Sequence, residues 1–277
     1  MSRKIGAHVS SAGGPLNAIT NAKNINANCL QIFAGSPRTW TRSLYPNKDV
    51  TLFNQTIDYL DLRPVFIHAL YLVNLASDTD ITQKSYLSLK TDLQNGDAIQ
   101  AAGVIVHLGS HQGRGFTIVK DQLVTQIRQL LAETSTTAFI IENSAGQQGK
   151  IGTLEEISFL LSAVDSPRLK VCLDTAHLFA AGYDLRSAAA VDDLLSELEQ
   201  RNILHSLVCL HLNDSKSALG SRRDLHENLG DGQIGLEGLA NFVSHPRLAH
   251  LPLILEVPGL DGHGPDAHNI QLARSLA

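Results

Sequence analysis

Val104-Ile105-Val106-His107, a helix-like stretch ending at Ala132, and then Phe139-Ile140-Ile141-Glu142 form the run of sequence that sets the architecture. Both apolar tracts are short, continuous and rich in β-branched residues. Strands with one wet face alternate apolar and polar residues, whereas parallel strands covered on both faces read as unbroken apolar runs. Between the tracts, Val119, Leu123, Ile127, Leu130 and Leu131 recur at helical spacing over Val119–Ala132. To either side, similar tracts return at Ile5–Val9, Cys29–Phe33, Val65–Ile67, Val171–Leu173, Leu207–Leu210 and Leu253–Leu255, which makes eight. Helical patterns also cover Lys84–Ala102, Leu154–Val164 and Val191–Ile203. Eight alternating strand–helix units predict an α/β fold, a closed (β/α)8 TIM barrel.

The bulk properties agree with one barrel domain over 1–277. The chain has 277 residues and is 43% hydrophobic, near the roughly 250 residues usual for this fold. Its formal charge is −5, from 22 basic and 27 acidic side chains. Holding nucleic acid by bulk charge needs a basic protein, so here a local patch or bound cations would be required. Cys29, Cys172 and Cys209 are widely spaced within or beside apolar runs, which fits buried thiols in a reducing compartment rather than a disulfide frame. The N-terminus lacks the apolar core of a secretion signal, and no apolar run reaches 18 residues. A cytoplasmic location and no membrane span are expected.

The residues at the strand ends are more telling than the strands themselves. In a parallel barrel every strand ends on one face, where active sites are built. The strand ends carry, in order, His8, Arg38 a few residues beyond the second strand, His68, His107, Glu142, Asp174, His211 and Glu256. A lone strand-end histidine is more often a hydrogen-bonded core residue than a ligand. Six potential ligands from the third strand onward are another matter, because so many ionisable groups in one pit require cations. Asp174-Thr175-Ala176-His177 adds a histidine in the turn after strand six. Asp224-Leu225-His226 adds two side chains that point the same way if the loop is extended. The nine candidates are His68, His107, Glu142, Asp174, His177, His211, Asp224, His226 and Glu256. Five imidazoles and four carboxylates suit zinc, manganese or iron. At roughly three protein ligands per catalytic zinc, nine imply about three metals, with carboxylates shared. Such clusters suit phosphate-ester hydrolysis.

These residues carry a family resemblance. Gly6-Ala7-His8-Val9-Ser10, Ile141-Glu142-Asn143-Ser144-Ala145-Gly146, and Cys172-Leu173-Asp174-Thr175-Ala176-His177 with Ala180-Ala181-Gly182-Tyr183-Asp184 resemble endonuclease IV, the zinc-dependent apurinic/apyrimidinic (AP) endonuclease family 2. So do His211-Leu212-Asn213-Asp214-Ser215-Lys216 and 224–232 (DLHENLGDG). The resemblance runs from residue 5 to about 258. It implies a xylose-isomerase-like barrel with three zinc ions, manganese being able to replace one. His68, His107 and Glu142 would hold the first. Glu142, Asp174, His211 and Glu256 would hold the second, and His177, Asp224 and His226 the third. It implies a DNA-repair hydrolase that cuts 5′ to abasic sites in duplex DNA, leaving 3′-hydroxyl and 5′-deoxyribose phosphate ends. Trimming of 3′-blocked ends and a monomeric state are also expected, with Glu142 orienting the attacking water.

By the same resemblance Arg38, Tyr71 and Leu72 lie in loops that penetrate DNA; the basic side chains of Lys216, Arg222 and Arg223 are expected to contribute to phosphate binding and its salt dependence. Trp40 is read as a packed loop aromatic. Three positions depart from the pattern. Leu70 and Leu108 stand where the family usually has proline. Leu225 stands where it usually has arginine, a role Arg222 or Arg223 would then take. The rival readings are a single-metal sugar isomerase or epimerase, which needs only Glu142, Asp174, His211 and Glu256, and a non-enzymatic DNA-lesion or metal-binding protein.

Overall fold

In the computed structural model, which describes residues 3–277, eight parallel strands close into a barrel. They are β1 (Ile5–His8), β2 (Leu30–Phe33), β3 (Val65–His68), β4 (Gly103–Val106), β5 (Ala138–Glu142), β6 (Leu169–Asp174), β7 (Leu207–His211) and β8 (Leu253–Leu255). Each strand pairs with its sequence neighbours, and β8 closes the ring against β1 through Ile5–Leu253, Gly6–Ile254 and Ala7–Leu255. All eight expected strands are present. Pairing runs one residue further than expected in four of them, so that His68, Glu142, Asp174 and His211 are themselves the last strand residues.

Helices α1 (Pro15–Asn24), α2 (Asn47–Tyr59), α3 (Asp80–Ile99), α4 (Phe116–Ala132), α5 (Leu154–Val164), α6 (Thr175–Ala181), α7 (Ala188–Gln200), α8 (Gly235–Val243) and α9 (Ala267–Leu276) cover the barrel. The expected helix over Leu154–Val164 has those bounds, fixed by a capping box between Thr153 and Glu156. Two others begin earlier than their apolar pattern, because a polar cap sets the start. Thr79 accepts from Ile81 N at the head of α3, and Ser187 from Ala190 N at the head of α7. Both also end three residues short of the expected limits, at Ile99 and Gln200, where Gln100 turns left-handed and Arg201 leaves the helix.

The apolar residues divide into two layers. Cys29, Phe66, Ile105, Ala138, Ile140, Cys172, Cys209 and Ile254 fill the barrel interior. Their strand neighbours, such as Val65, Ile67, Val104, Val106, Phe139 and Ile141, pack outward with helix residues such as Leu89, Leu93, Leu123 and Ile127. Gly6 is the interior position of β1, and it has no room for a side chain. A Cβ there would lie 1.9 Å from the carbonyl oxygen of Cys29. Gly6→Ala is therefore expected to cost at least the roughly 1–3 kcal/mol of ordinary overpacking, because backbone must move. Thermal denaturation with unchanged stability would contradict this packing.

Candidate metal centre

Side chains alternate faces along a strand, so an interior residue is followed two positions later by another interior residue. Phe66, Ile105, Ile140, Cys172, Cys209 and Ile254 point inward. The next inward positions are His68, His107, Glu142, Asp174, His211 and Glu256. The same step leads from Cys29 to Gln31 and from Gly6 to His8. These eight side chains form the uppermost ring of the barrel interior. Gln31 is the member that strand-end reading passes over in favour of Arg38. The signal that would have found it is this two-residue step.

Three groups of ligand atoms converge, each group lying within 4.8 Å. In the first, His68 Nε2 and His107 Nε2 stand 3.3 and 3.2 Å from Glu142 Oε2. In the second, His211 Nδ1 lies 2.9 Å from Glu142 Oε1, 3.4 Å from Glu256 Oε2 and 3.8 Å from Asp174 Oδ2. The third comprises Asp174, His177 and His226. Asp224 Oδ1 sits against both of its imidazoles, 3.0 Å from His177 Nε2 and 3.4 Å from His226 Nε2. Glu142 and Asp174 each belong to two groups.

Local structure explains how the non-strand members arrive. Asp174 ends β6 and also caps α6, accepting from His177 N at 2.9 Å, so His177 is turned back over the pit. Asp224 and His226 come from the loop after β7, which an antiparallel pairing of Asp214–Ser215 with His226–Glu227 holds down. Asp214 stabilises the next turn by accepting from the backbone N–H groups of Gly230, Gly232, Ile234 and Gly235.

The donor set fits metal ions. Among the described residues, every ion-pair partner of Glu142, Asp174, Asp224 and Glu256 is a histidine; none is a lysine or arginine. The buried Nε2 atoms of His177 and His226 approach carboxylates but have no hydrogen-bond partner. Nitrogens close to oxygens yet out of line for hydrogen bonds suit lone pairs converging on a shared cation. The second nitrogens are tied back, as ligand imidazoles require. His68 Nδ1 meets Ala69 O at 2.7 Å and His177 Nδ1 meets Asn143 O at 3.0 Å.

The electrostatics show the same demand for positive charge. Burial opposes ionisation of Glu142, but His107 and His211 outweigh it and hold the carboxyl well below its usual range. Burial also disfavours a charged His177, yet Asp174, Asp224 and Glu142 push it up to about 10. Without metal the site draws protons onto His68, His177 and His211, which a metal would need neutral, whereas burial lowers His107 to about 4. Burial pushes the Cys172 thiol, beneath the ring, well above its usual range.

The rim carries the other predicted residues. Arg38, Lys216, Arg222 and Arg223 are exposed, as are Tyr71 and Leu72 at 58% and 47%. Arg222 lines a cleft of about 440 Å³ with Gln147, Lys150 and His111. Trp40 packs against the core, as expected of a loop aromatic. Leu70 and Leu108 are buried core residues, while Leu225 is exposed.

The loop bearing Arg38 is tied to the barrel wall by Arg42. Its guanidinium donates to Ser36 O and Thr39 O, and pairs at 3.2 Å with buried Asp92 on α3. Burial raises the Asp92 carboxyl to about 7, against the pull of Arg42. Between about pH 4, where an unfolded aspartate titrates, and pH 7, the folded state binds more protons. Stability therefore falls as pH rises through that window. The stability of the wild type relative to Asp92→Asn is expected to be greater at pH 5 than at pH 7. Denaturation midpoints with the opposite trend would contradict this.

Comparison with known proteins agrees with this geometry. The family described as xylose isomerase-like TIM barrel matches residues 19–276. The "Probable endonuclease 4" of Halothermothrix orenii is 36% identical over 275 residues, spanning 98% of this chain and 99% of that protein. Its counterpart in Halobacterium salinarum is 39% identical over 276 residues, spanning 99% of both. The crystal structure of endonuclease IV from Thermus thermophilus superposes with a TM-score of 0.87 at 35% identity, covering 99% of this chain and 98% of that one. A D-tagatose 3-epimerase-like protein shares the fold at a TM-score of 0.70 and 16% identity, covering 99% and 95%. A ring of metal-binding side chains at the mouth of such a barrel defines a metal-dependent barrel enzyme. Identity over the full length narrows the class, and the chain belongs to the endonuclease IV family.

Proposed function

We propose that this protein hydrolyses the phosphodiester 5′ to abasic sites in duplex DNA, leaving a 3′-hydroxyl and a 5′-deoxyribose phosphate, and also trims 3′-blocked ends. Family membership supports a DNA-hydrolysing enzyme. The observation that carries the finer reading is the presence of three converging ligand groups rather than one. A single-metal isomerase would use Glu142, Asp174, His211 and Glu256 and leave the other two groups without a purpose. We assign about three zinc ions per monomer, with manganese as an alternative at one site.

His68, His107 and Glu142 would hold one zinc. Glu142, Asp174, His211 and Glu256 would hold a second, and His177, Asp224 and His226 a third, with Asp174 alongside. Zinc bound there supplies Lewis-acid polarisation of the phosphate and brings water toward a pKa of about 7. The protein's own residues do the positioning. Glu142, shared by two groups at the centre of the pit, orients the attacking water toward phosphorus. Tyr71 and Leu72, with Arg38, enter the helix from the protein surface. Extruding a nucleotide costs a few kcal/mol, and least where no base pair has to be broken. That favours an abasic target over an intact one.

The net charge of −5 does not oppose this role, because three of the 27 acidic side chains belong to the ligand groups and a fourth, Asp224, sits against the third group. Lys216, Arg222 and Arg223 are assigned to phosphate contacts. Replacing all three with glutamine is expected to flatten the salt dependence of binding, by about 0.9 in log–log slope for each phosphate no longer neutralised. An unaltered slope would remove them from the interface. The function itself is tested on a duplex with one tetrahydrofuran abasic analogue, with and without chelator. A single metal-dependent nick 5′ to the lesion is expected, and its absence would reject the assignment.

A further inference from the structure

Gln31 is fully buried in the ligand ring, with contacts to two members of one metal group. Its Nε2 donates to Glu256 Oε1 at 2.6 Å and lies 3.0 Å from His8 Nδ1. Its Oε1 faces His211 Nε2 at 2.8 Å. Chemistry fixes the direction of this amide. An ionised carboxylate only accepts, so the NH2 end must face Glu256. The oxygen must then face His211, which can satisfy it only by carrying its proton on Nε2.

His211 consequently differs from the other tied imidazoles. His68, His177 and His226 direct Nδ1 at backbone carbonyls, leaving Nε2 toward the cluster. His211 directs Nε2 at a side chain of the same ring and turns Nδ1 toward Glu142, Asp174 and Glu256. A carboxylate in place of Gln31 would serve His211 equally well but would repel Glu256. A neutral amide is the group able to satisfy both neighbours at once.

We propose that Gln31 is the positioning residue of the second metal group, locking His211 as the Nε2–H tautomer and restraining Glu256 so that both converge with Glu142 and Asp174. This rests on the metal-centre reading above. Gln31 touches neither substrate nor metal. Its removal acts on metal affinity and turnover, not on DNA binding. Outer partners of ligands typically contribute about 10–100-fold to metal affinity or activity.

The test uses the full chain, with zinc competition against a chelator and the visible spectrum of the cobalt-substituted protein. Gln31→Leu is expected to weaken one metal of the set by about 10–100-fold and to change the cobalt spectrum. kcat should fall, while KM for lesion-bearing duplex stays within about threefold, as expected for a residue that does not touch DNA. Affinities within about twofold of wild type, with an unchanged spectrum, would overturn the proposal. Gln31→Met, unbranched and of similar length, is the second variant if leucine prevents folding. A third measurement needs no variant. Long-range proton–nitrogen NMR correlation of the zinc protein should show His211 protonated on Nε2, and His68, His177 and His226 on Nδ1. A proton on Nδ1 of His211 would overturn the proposal. A wild type that takes up no zinc would instead reject the metal-centre reading.

Discussion

Glu142→Gln is expected to lower kcat by about 10²–10⁴-fold, the range for a group that handles the reacting proton and its water. The substitution keeps the side-chain volume and one carbonyl oxygen and removes the charge. Its effect is large because of where Glu142 stands. It is fully buried, shared by two metal groups, and faced by His68, His107, His177 and His211. The rim residues assigned to DNA contact lie elsewhere, so binding to an abasic duplex is expected to persist. Metal content measured alongside would show how far the loss comes from a weakened cluster. Turnover within about tenfold of wild type would contradict a central role for this carboxylate. Loss of DNA binding together with turnover would place Glu142 in substrate binding instead.

Removal of metal is expected to lower the stability of the fold more than any rim substitution. Glu142 and Asp174 are fully buried and Glu256 nearly so, and their ion-pair partners are all imidazoles. Stripping the cations leaves these carboxylates balanced only by protons taken up on neighbouring imidazoles, in a medium that screens poorly. By linkage, a ligand present at a thousand times its Kd stabilises the fold by about 4 kcal/mol. For a chain of this size that corresponds to a fall in Tm of roughly 10 °C on chelation. Recovery on adding zinc should be complete. A Tm indifferent to chelator would mean that the ring holds itself together through histidine–carboxylate hydrogen bonds alone.

Much of this was legible in the sequence, for definite physical reasons. Strands covered on both faces must be apolar without interruption, and helices on the outside must repeat at their own period. Both patterns survive in a single sequence, so Val104–Val106, Phe139–Ile141 and Leu154–Val164 could be placed closely. The helices over Asn47–Tyr59 and Ala267–Leu276 have short or broken apolar stripes, with only Phe53 and Ile57 buried in the first, and no pattern announced them. The polar residues at the ends of the apolar runs were conspicuous because burying them is costly. Gln31 escaped because it lies inside its run, between Leu30 and Ile32, and does not ionise. The sharing of Asp174 with the third group was also out of reach. It depends on how the loop carrying His226 folds over the barrel mouth, which spacing along the chain does not encode.

Whether the barrel mouth works as a three-metal hydrolytic centre can be decided by a zinc titration of the metal-free protein, read out as nicking of a duplex with one tetrahydrofuran site. Three converging groups predict that cleavage stays low at the first equivalent and reaches its plateau near three, always 5′ to the lesion. A plateau at one equivalent, or no cleavage at any zinc level, would contradict it.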